Sequence, residues 1–458
     1  MTGPIEERPR VAARSVSRRA AAVAEPEQAL PFAEAEVAAL AADLGESPAL
    51  AARRLQAWRT YQALPLPALT DEAWRRTDLR GLALGRLHLR AAGEAPLAPE
   101  LLQPLAGDRH GALIVTRPGR PTERTGGEDL AGRGVIFADW ETAAREHPAA
   151  LEAAVGRVVR DEEGKFSALA AAAARSGVVL IVPPGVELEV PLHSVLWAPG
   201  SGALFASRVL VALGEGAAAT FVHESASPDE PQGEAAHAGI VELAVGAGAR
   251  LTFVELQSWG RHVWNVTHER ARVERDGTLD WIFGAVGSRL TKNFSELDLV
   301  GRGATGRMSG FYFADGVQHL DHDTQQNHRA ENTTSDLLFK GALRGRSRSV
   351  WQGMIYVAPG AQKTDGYQAN RNLVLSRQAR ADSIPGLEIL ADDVRCTHGA
   401  TVGQLDLEAV FYLRSRGLLR PDAERLLVDG FFDPILQRIP FERVRERFRE
   451  MIDDKMRD

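Results

Sequence analysis

The sequence has almost no cysteine, since Cys396 is the only one among its 458 residues. A single thiol excludes an intrachain disulfide, and it excludes a metal site built from several thiolates of this chain alone. Unpaired cysteine is usual in reducing compartments. The cytoplasm is therefore the expected location.

The sequence also has no excess of basic residues and no long apolar run. The chain has 54 Lys and Arg against 61 Asp and Glu, a formal net charge of -7. Nucleic-acid binding through phosphates calls for the opposite balance, so no nucleic-acid partner is expected. No run of about 18 apolar residues occurs, so no membrane partner is predicted either. With 44% apolar and 25% charged residues, the composition is typical of a soluble globular protein.

The first part of the chain is rich in alanine and leucine with helical periodicity. We expect residues 1–29 to be a disordered tail and residues 30–176 to form a mainly helical N-terminal domain. The predicted helices are Phe32–Leu44, Leu50–Leu64 and Lys165–Arg175. The apolar run Gly134–Phe137 predicts one strand inside this domain.

From residue 177 to residue 405, short apolar runs recur between glycines. Val211–Val222 matches Leu243–Val254 after a shift of 32 residues, which is an internal repeat. Such units bury an apolar face only by stacking, so the repeat favours a β-solenoid core over 177–405. A β-sandwich is the alternative, because short strands between turn residues fit that fold as well.

Helical patterns return in residues 406–458, the predicted C-terminal helical segment. Asp406 is placed to cap a helix that runs to Arg416, and Gly417 suits its end. Two further helices are predicted, Asp422–Asp429 after Pro421 and Phe441–Met451 after Pro434.

Neither of two common nucleotide-binding motifs is supported by the sequence. Gly301–Gly306 satisfies G-x-G-x-x-G, but a strand pattern follows it where a dinucleotide site needs a helix, so it predicts a solenoid corner. No G-x-x-x-x-G-K-[ST] phosphate loop occurs, so this chain is not expected to hydrolyse ATP.

A local cluster of potential metal ligands consists of His319, Asp321, His322, Asp323 and His328. In a strand, the two aspartates face away from His322. We therefore expect these residues to lie on a solvent-facing strand or turn and not to form a metal site.

The stretch that contains the thiol, Ile389–Ala400, is the most informative. In a strand, Cys396 and His398 point to one face, roughly 6.6 Å apart along the strand, within reach of one metal or cluster. Arg395 and a protonated His398 would favour the thiolate form. The alternative is a buried cysteine beside a hydrogen-bonded histidine, and spacing alone leaves both interpretations open.

At these residues the sequence resembles a known family. Four segments closely resemble the SufB/SufD family of the SUF iron-sulfur assembly system, and the block around Cys396 is most similar to the SufD branch. The segments are Gln362–Ser376, Pro385–Ile389, Ala391–Gly403 and Phe411–Gly417. Weaker similarity runs from Lys165 to Phe432.

The resemblance implies a right-handed parallel β-helix between a helical N-terminal domain and C-terminal helices. It implies a complex with a SufB-like homologue and a SufC-like ATPase, which serves apo iron-sulfur proteins indirectly. Cys396 and His398 would hold a transient, nascent iron-sulfur cluster at the contact with the SufB-like chain. The ATPase would dock on the C-terminal helices, through the candidate residues Val410, Phe411, Leu413, Leu426, Leu427 and Phe431. Nothing in the residues supports a bound reduced flavin.

The expected function is that of a non-catalytic scaffold subunit for iron-sulfur cluster assembly. One rival is a carbohydrate-active β-helix enzyme, for which Asp321, Asp323 and Glu331 are the only suggestive carboxylates. The other is a SufB-like scaffold that acts without a distinct partner.

Overall fold

The structure, a computed structural model, describes residues 29–89, 93–103, 111–439 and 441–457. Residues 1–28 of the predicted tail lie outside this part of the chain. Two long, mostly parallel sheets dominate the structure, and their strands are numbered in chain order. The ten-stranded sheet contains β1 (Ala112–Thr116), β2 (Glu123–Thr125), β5 (Leu192–Trp197), β7 (Ala218–Ala226), β9 (Arg250–Ser258), β11 (Thr278–Ala285), β13 (Thr305–Ala314), β15 (Thr334–Leu343), β17 (Asp365–Val374) and β19 (Arg395–Gln404). The nine-stranded sheet contains β3 (Ile136–Asp139), β4 (Ser176–Val182), β6 (Leu204–Leu213), β8 (Ala235–Val245), β10 (Val263–Val273), β12 (Leu290–Leu299), β14 (His319–His328), β16 (Arg348–Val357) and β18 (Arg380–Ile389).

From β4 onwards, successive strands alternate between the two sheets, and each strand pairs in parallel with the strand two places further along the chain. This is a parallel β-helix, so the predicted solenoid is confirmed and the β-sandwich is excluded. The internal repeat corresponds to two successive turns, because Val211 pairs with Leu243 and Val222 pairs with Val254.

One corner of the solenoid repeats a left-handed backbone position in every turn. Gly216, Gly248, Asp276, Gly303, Asn332 and Lys363 occupy it, all with positive φ. Each donates its N–H to a carbonyl of the following turn, as Gly303 does to Glu331 at 3.1 Å. A Cβ on Gly301 would lie 1.9 Å from the nitrogen of Arg275. Close stacking of corners therefore explains the G-x-G-x-x-G run, and the prediction of a solenoid corner is confirmed.

The space between the sheets is filled by stacked apolar side chains. Phe221, Phe253 and Trp281 occupy equivalent positions in successive turns, with ring centroids 5.7 and 6.2 Å apart. All three are buried. A single turn would leave such a ring half exposed, so burial depends on stacking.

The N-terminal helices cover the outer face of the nine-stranded sheet. They are α1 (Glu34–Asp43), α2 (Pro48–Ala63), α3 (Trp140–Glu146), α4 (Pro148–Ala154) and α5 (Lys165–Ala173). The alanine-rich α5 packs against β6, β8 and β10, because small side chains let the helix approach the sheet closely. The three predicted helices and the predicted strand all form, the strand as β3. Since β1 and β3 join the sheets, strand pairing begins before residue 177, and the proposed domain boundaries stay a prediction.

The C-terminal helices cover the outer face of the ten-stranded sheet. They are α6 (Leu407–Ser415), α7 (Arg420–Leu436) and α8 (Glu442–Arg457). Asp406 caps α6, as predicted, by accepting hydrogen bonds from the N–H groups of Glu408 and Ala409. The predicted end of the second helix at Asp429 is wrong, because α7 continues through Pro434 to bury Ile435 against the sheet. Within the described residues, no helix has the length and apolar character needed to cross a membrane.

Candidate functional site at the open end of the solenoid

The last turn of the solenoid, formed by β18 and β19, is paired on one side only by the residues that the structure describes. Each strand is the final member of its sheet. Several large apolar side chains of this turn are partly exposed, at 36% to 51% of their surface: Leu387, Ile389, Leu390 and Val402. A solenoid normally needs a polar cap at its ends to stay soluble. This end has the exposure expected of an interface.

The backbone shows which groups face the open edge. Arg395 donates its N–H inward to Thr364 at 2.8 Å. Because successive residues of a strand point their N–H groups to opposite sides, Cys396, His398 and Ala400 direct theirs to the open edge. Edge strand β19 therefore offers a row of unpaired donors and acceptors.

Strand β18, the edge of the nine-stranded sheet, lacks one of the outward N–H groups. Arg380 donates inward to Ser347, so the odd-numbered positions of β18 face outward. Pro385 occupies one of them, where the lack of an N–H costs no ladder bond. The uninterrupted row of donors thus belongs to β19.

Cys396 is half-buried on the interior-facing side of β19, opposite Gly366 of β17. It packs beside the small apolar cluster of Ile355, Val357 and Ala361. Burial raises the pKa of the thiol, the Gly366 N–H opposes that effect, and the charge of Asp365 adds to it. The expectation that Arg395 favours the thiolate is therefore wrong, because Arg395 lies on the opposite face, 3.9 Å from Asp365.

His398 lies two residues further along β19, on the same face as Cys396 and in register with Gln368. It is exposed, whereas Gln368 is fully buried one turn below. An exposed imidazole next to a half-buried thiol at an edge strand is accessible to a second protein. This placement is compatible with the predicted shared site and does not by itself test it.

His328 is a third group near the thiol, and no local pattern in the sequence predicts this position. Its Nε2 and the Sγ of Cys396 each lie 3.3 Å from the position that a Cβ would take on Gly366. The distance between His328 Nε2 and Cys396 Sγ is therefore at most twice 3.3 Å. The imidazole is completely buried, and burial lowers its pKa to about 4, so it is neutral.

A directed chain of hydrogen bonds fixes the tautomer of His328. Thr333 donates to the carbonyl of Ala330, so it accepts from His328 Nδ1 at 2.8 Å. Ser335 accepts from Gln326 at 2.6 Å and donates to His328 Nε2 at 2.8 Å. The lone pair of Nε2 is thus taken up by the Ser335 hydroxyl. These hydrogen bonds fix His328 beside the thiol and leave neither ring nitrogen free to bind a metal.

The solvent-facing location predicted for the cluster around His319 is wrong. Asp321, His322 and His328 are buried, because one face of β14 looks into the solenoid and the N-terminal region covers the other. Asp321 accepts from Lys292 at 3.0 Å and from Thr77. In the described part of the chain, no group of three or more His, Cys, Asp or Glu side chains is placed to hold a metal ion.

The buried position of Asp321 also removes the basis for a carbohydrate-active site. Its carboxylate is paired with Lys292 away from solvent. Glu331 is exposed at a corner outside the strand, so the three suggested carboxylates do not share an open groove. The structure therefore offers no support for the enzyme rival at these residues.

The candidate residues on the C-terminal helices divide into three groups. Phe411 and Leu426 are exposed by 72% and 50%, whereas Val410 is buried and contributes to packing. Leu413, Leu427 and Phe431 are half-buried. Exposed residues that the prediction missed are Leu407, Tyr412 and Leu419. The spacing of Leu407 and Phe411, four apart on one helix face, would have identified Leu407.

Comparison with known proteins decides the family. Residues 196–431, more than half of the chain, match the family model described as SUF system FeS cluster assembly, SufBD core domain. The chain belongs to the SufBD family. The resemblance seen in the sequence is confirmed at this level, and membership places the chain in SUF iron-sulfur cluster assembly.

Among curated relatives, a SufBD family protein of Staphylococcus saprophyticus is 29% identical over 318 residues, which cover 69% of this chain and 68% of the relative. The SufB protein of Bacillus subtilis matches with the same identity and the same coverage. A SufBD family protein of Staphylococcus haemolyticus is 28% identical over 318 residues.

Proposed function

We propose that this SufBD protein is a SufD-like, non-catalytic scaffold subunit. It pairs with a SufB-like homologue at the open end of its solenoid and shares a nascent iron-sulfur cluster site with it. The observation that carries the proposal is the position of Cys396 and His398 on β19, the last strand of the ten-stranded sheet.

The donor set supports a site that two chains complete. Iron-sulfur clusters are usually held by about four ligands, most of them thiolates. This chain has one thiol, with His398 beside it on the same face of β19. The missing ligands must then come from another subunit, which would reach Cys396 across the open edge.

The shape of the open end supports the same arrangement. The apolar side chains of the last turn and the free donors of β19 both need a partner. A homologous solenoid with its own open end would supply matching strands and continue both sheets. Burial of the apolar residues would stabilise the complex.

The C-terminal helices support docking of a SufC-like ATPase. The exposed apolar side chains of α6 and α7, chiefly Phe411 and Leu426, form a surface that is large for a free helix pair. Below it, Phe432 and Phe448 pack directly on Phe311 of the sheet. Movement of a bound ATPase would therefore be transmitted to the solenoid itself.

The same proposal places the protein in the cytoplasm and assigns a role to each part of the chain. The single unpaired thiol is compatible with the cytoplasm. Apo iron-sulfur proteins would receive the cluster from the assembled complex. Residues 177–405 would form the scaffold core, and residues 406–458 would bind the ATPase subunit.

The test is anaerobic reconstitution of the complex with SufB-like and SufC-like subunits. Cys396→Ala and His398→Ala should each assemble normally and yield less bound iron and sulfide. Thr397→Ala is the matched control, because Thr397 is exposed on the opposite face of β19. Native cluster yield in both site variants would refute the assignment. Full cluster formation by the isolated chain would instead favour a SufB-like scaffold that needs no distinct partner.

A further inference from the structure

A small polar cavity lies inside the solenoid, away from the open end. Its volume is about 10 Å³, room for about one water molecule. Two carboxylates face it from opposite sheets, Glu255 on β9 and Glu269 on β10. Both residues are more than nine-tenths buried.

No basic side chain among the residues that line the cavity balances these carboxylates. The other titratable groups there are His223 on β7 and His237 on β8. Burial lowers the pKa of His223 to about 3 and that of His237 to about 4, so both are neutral. Two uncompensated negative charges in a low-dielectric interior would be strongly unfavourable.

Two hydroxyl groups hold Glu269. Thr267 Oγ1 lies 2.8 Å from its Oε1, and Ser295 donates to its Oε2 at 2.8 Å. Thr267 also lies 2.6 Å from the side-chain amide of Asn293, so one hydroxyl links the carboxyl group to that amide. None of these three groups carries a positive charge that would balance the carboxylate.

Glu255 provides a separate observation. Its Oε2 is buried without a hydrogen bond of ordinary geometry among the described residues, and the Trp281 indole is the donor beside the carboxyl group. An unpartnered carboxylate oxygen that lines a cavity of this size is placed to receive a hydrogen bond through it.

We propose that this cavity is an internal proton-binding site, in which Glu255 and Glu269 hold one proton between them. The proton removes one of two like charges from the interior, and its loss would loosen contact between the two sheets. Burial raises the pKa of Glu269 to about 7, and burial together with the charge of Glu269 raises that of Glu255 well above its usual value. The site is independent of the cluster site on β19.

The sign of the pH effect follows from linkage. A carboxyl group whose pKa is higher in the folded state stabilises the fold most at low pH. Its contribution is present below the unfolded value, about 4.5, and is lost as the pH rises through about 7. The protein should therefore become less stable between about pH 5 and about pH 8.

Infrared spectroscopy and thermal unfolding of the full chain test the site. Near neutral pH the native protein should show the carbonyl band of a buried protonated carboxyl, and the intensity of that band should change in Glu269→Gln and in Glu255→Gln. The fall in melting temperature between about pH 5 and about pH 8 should be at least halved in Glu269→Gln. Glu215→Gln, at an exposed corner, is the control and should change neither measurement.

Either of two results would overturn the proposal. The first is a native protein without the carboxyl band whose pH dependence matches that of Glu269→Gln. The second is a rise in melting temperature at high pH on adding Mg²⁺ or Mn²⁺, seen in the native chain and lost in Glu269→Gln. That second result would assign the cavity to a metal cation. If Glu269→Gln fails to fold, Glu255→Gln gives the same comparison.

Discussion

Pairing through β19 can be tested by removing its outward N–H groups one at a time. Ala400 and Val402 are exposed and occupy positions whose N–H groups face the open edge. Proline at these positions would delete a donor to the proposed partner and leave the bonds to β17 intact. The double variant Ala400→Pro/Val402→Pro should therefore weaken the proposed intermolecular sheet selectively.

The expected loss follows from the number of bonds removed. One net hydrogen bond contributes about 0.5–1.5 kcal/mol, so the double variant should lose about 1–3 kcal/mol of binding free energy. That corresponds to a Kd for the SufB-like partner that is higher by roughly fivefold to a hundredfold. Isothermal titration calorimetry of the purified chains measures it, and thermal unfolding of the free chain should be unchanged.

Thr401→Pro is the matched control, because the N–H of Thr401 faces β17 within the same chain. It should detach the end of β19 and lower the stability of the free protein. If the double variant binds its partner with native affinity while Thr401→Pro destabilises the chain, partner pairing through β19 is wrong. Interface formation would then depend on side chains alone.

Three further predictions concern the C-terminal helices. Phe448→Ala, which empties a fully buried ring site against Phe311, should lower the free energy of unfolding by about 3–5 kcal/mol in chemical denaturation, whereas Phe411→Ala should change it by less than about 0.5 kcal/mol. Phe411→Ser should raise the Kd for the SufC-like ATPase about tenfold to a hundredfold, and an unchanged Kd would remove α6 from the docking surface. Burial alone would raise the pKa of Asp315, but Lys455 and Arg261 together outweigh it and hold that pKa below its usual value. The stability from these two ion pairs is therefore present above about pH 4 and lost on acidification. In Asp315→Asn the melting temperature should therefore fall less steeply on acidification than in the native protein. An equally steep fall in both proteins would contradict this prediction.

The architecture of the solenoid was open to prediction because its repeat is visible in the chain. The corner glycines Gly216 and Gly248 stand 32 residues apart, and that spacing is the register between β6 and β8. A left-handed corner favours glycine, so the period of the glycines gives the length of a turn. Later turns use Asp276 or Lys363 at the same corner, which is why the repeat fades along the sequence.

The layers that cover the sheets could not be predicted. Alternation along β14 separates Asp321 from His322, but it does not show that the N-terminal region brings Thr77 over Asp321. Contacts between residues so distant in sequence leave no local pattern. Val410 is likewise buried, and its position on α6 does not show this in the sequence.

The candidate site was predicted in position and only partly in chemistry. Strand alternation placed Cys396 and His398 on one face, as the structure has them. The protonation of the thiol depends on burial and on Gly366, and the nearness of His328 depends on stacking of turns. Neither is visible in a linear motif.

The two ends of the β-helix are not equivalent. At the start, β2 and β3 run antiparallel to the strands they join and are only three and four residues long, so they terminate both sheets. At the finish, no strand of the described residues pairs with the outer edges of β18 and β19, each ten residues long. If a homologous solenoid pairs there, as we propose, the unequal ends allow growth by stacking in one direction only. Such an assembly would close at two members and would not propagate into a fibre.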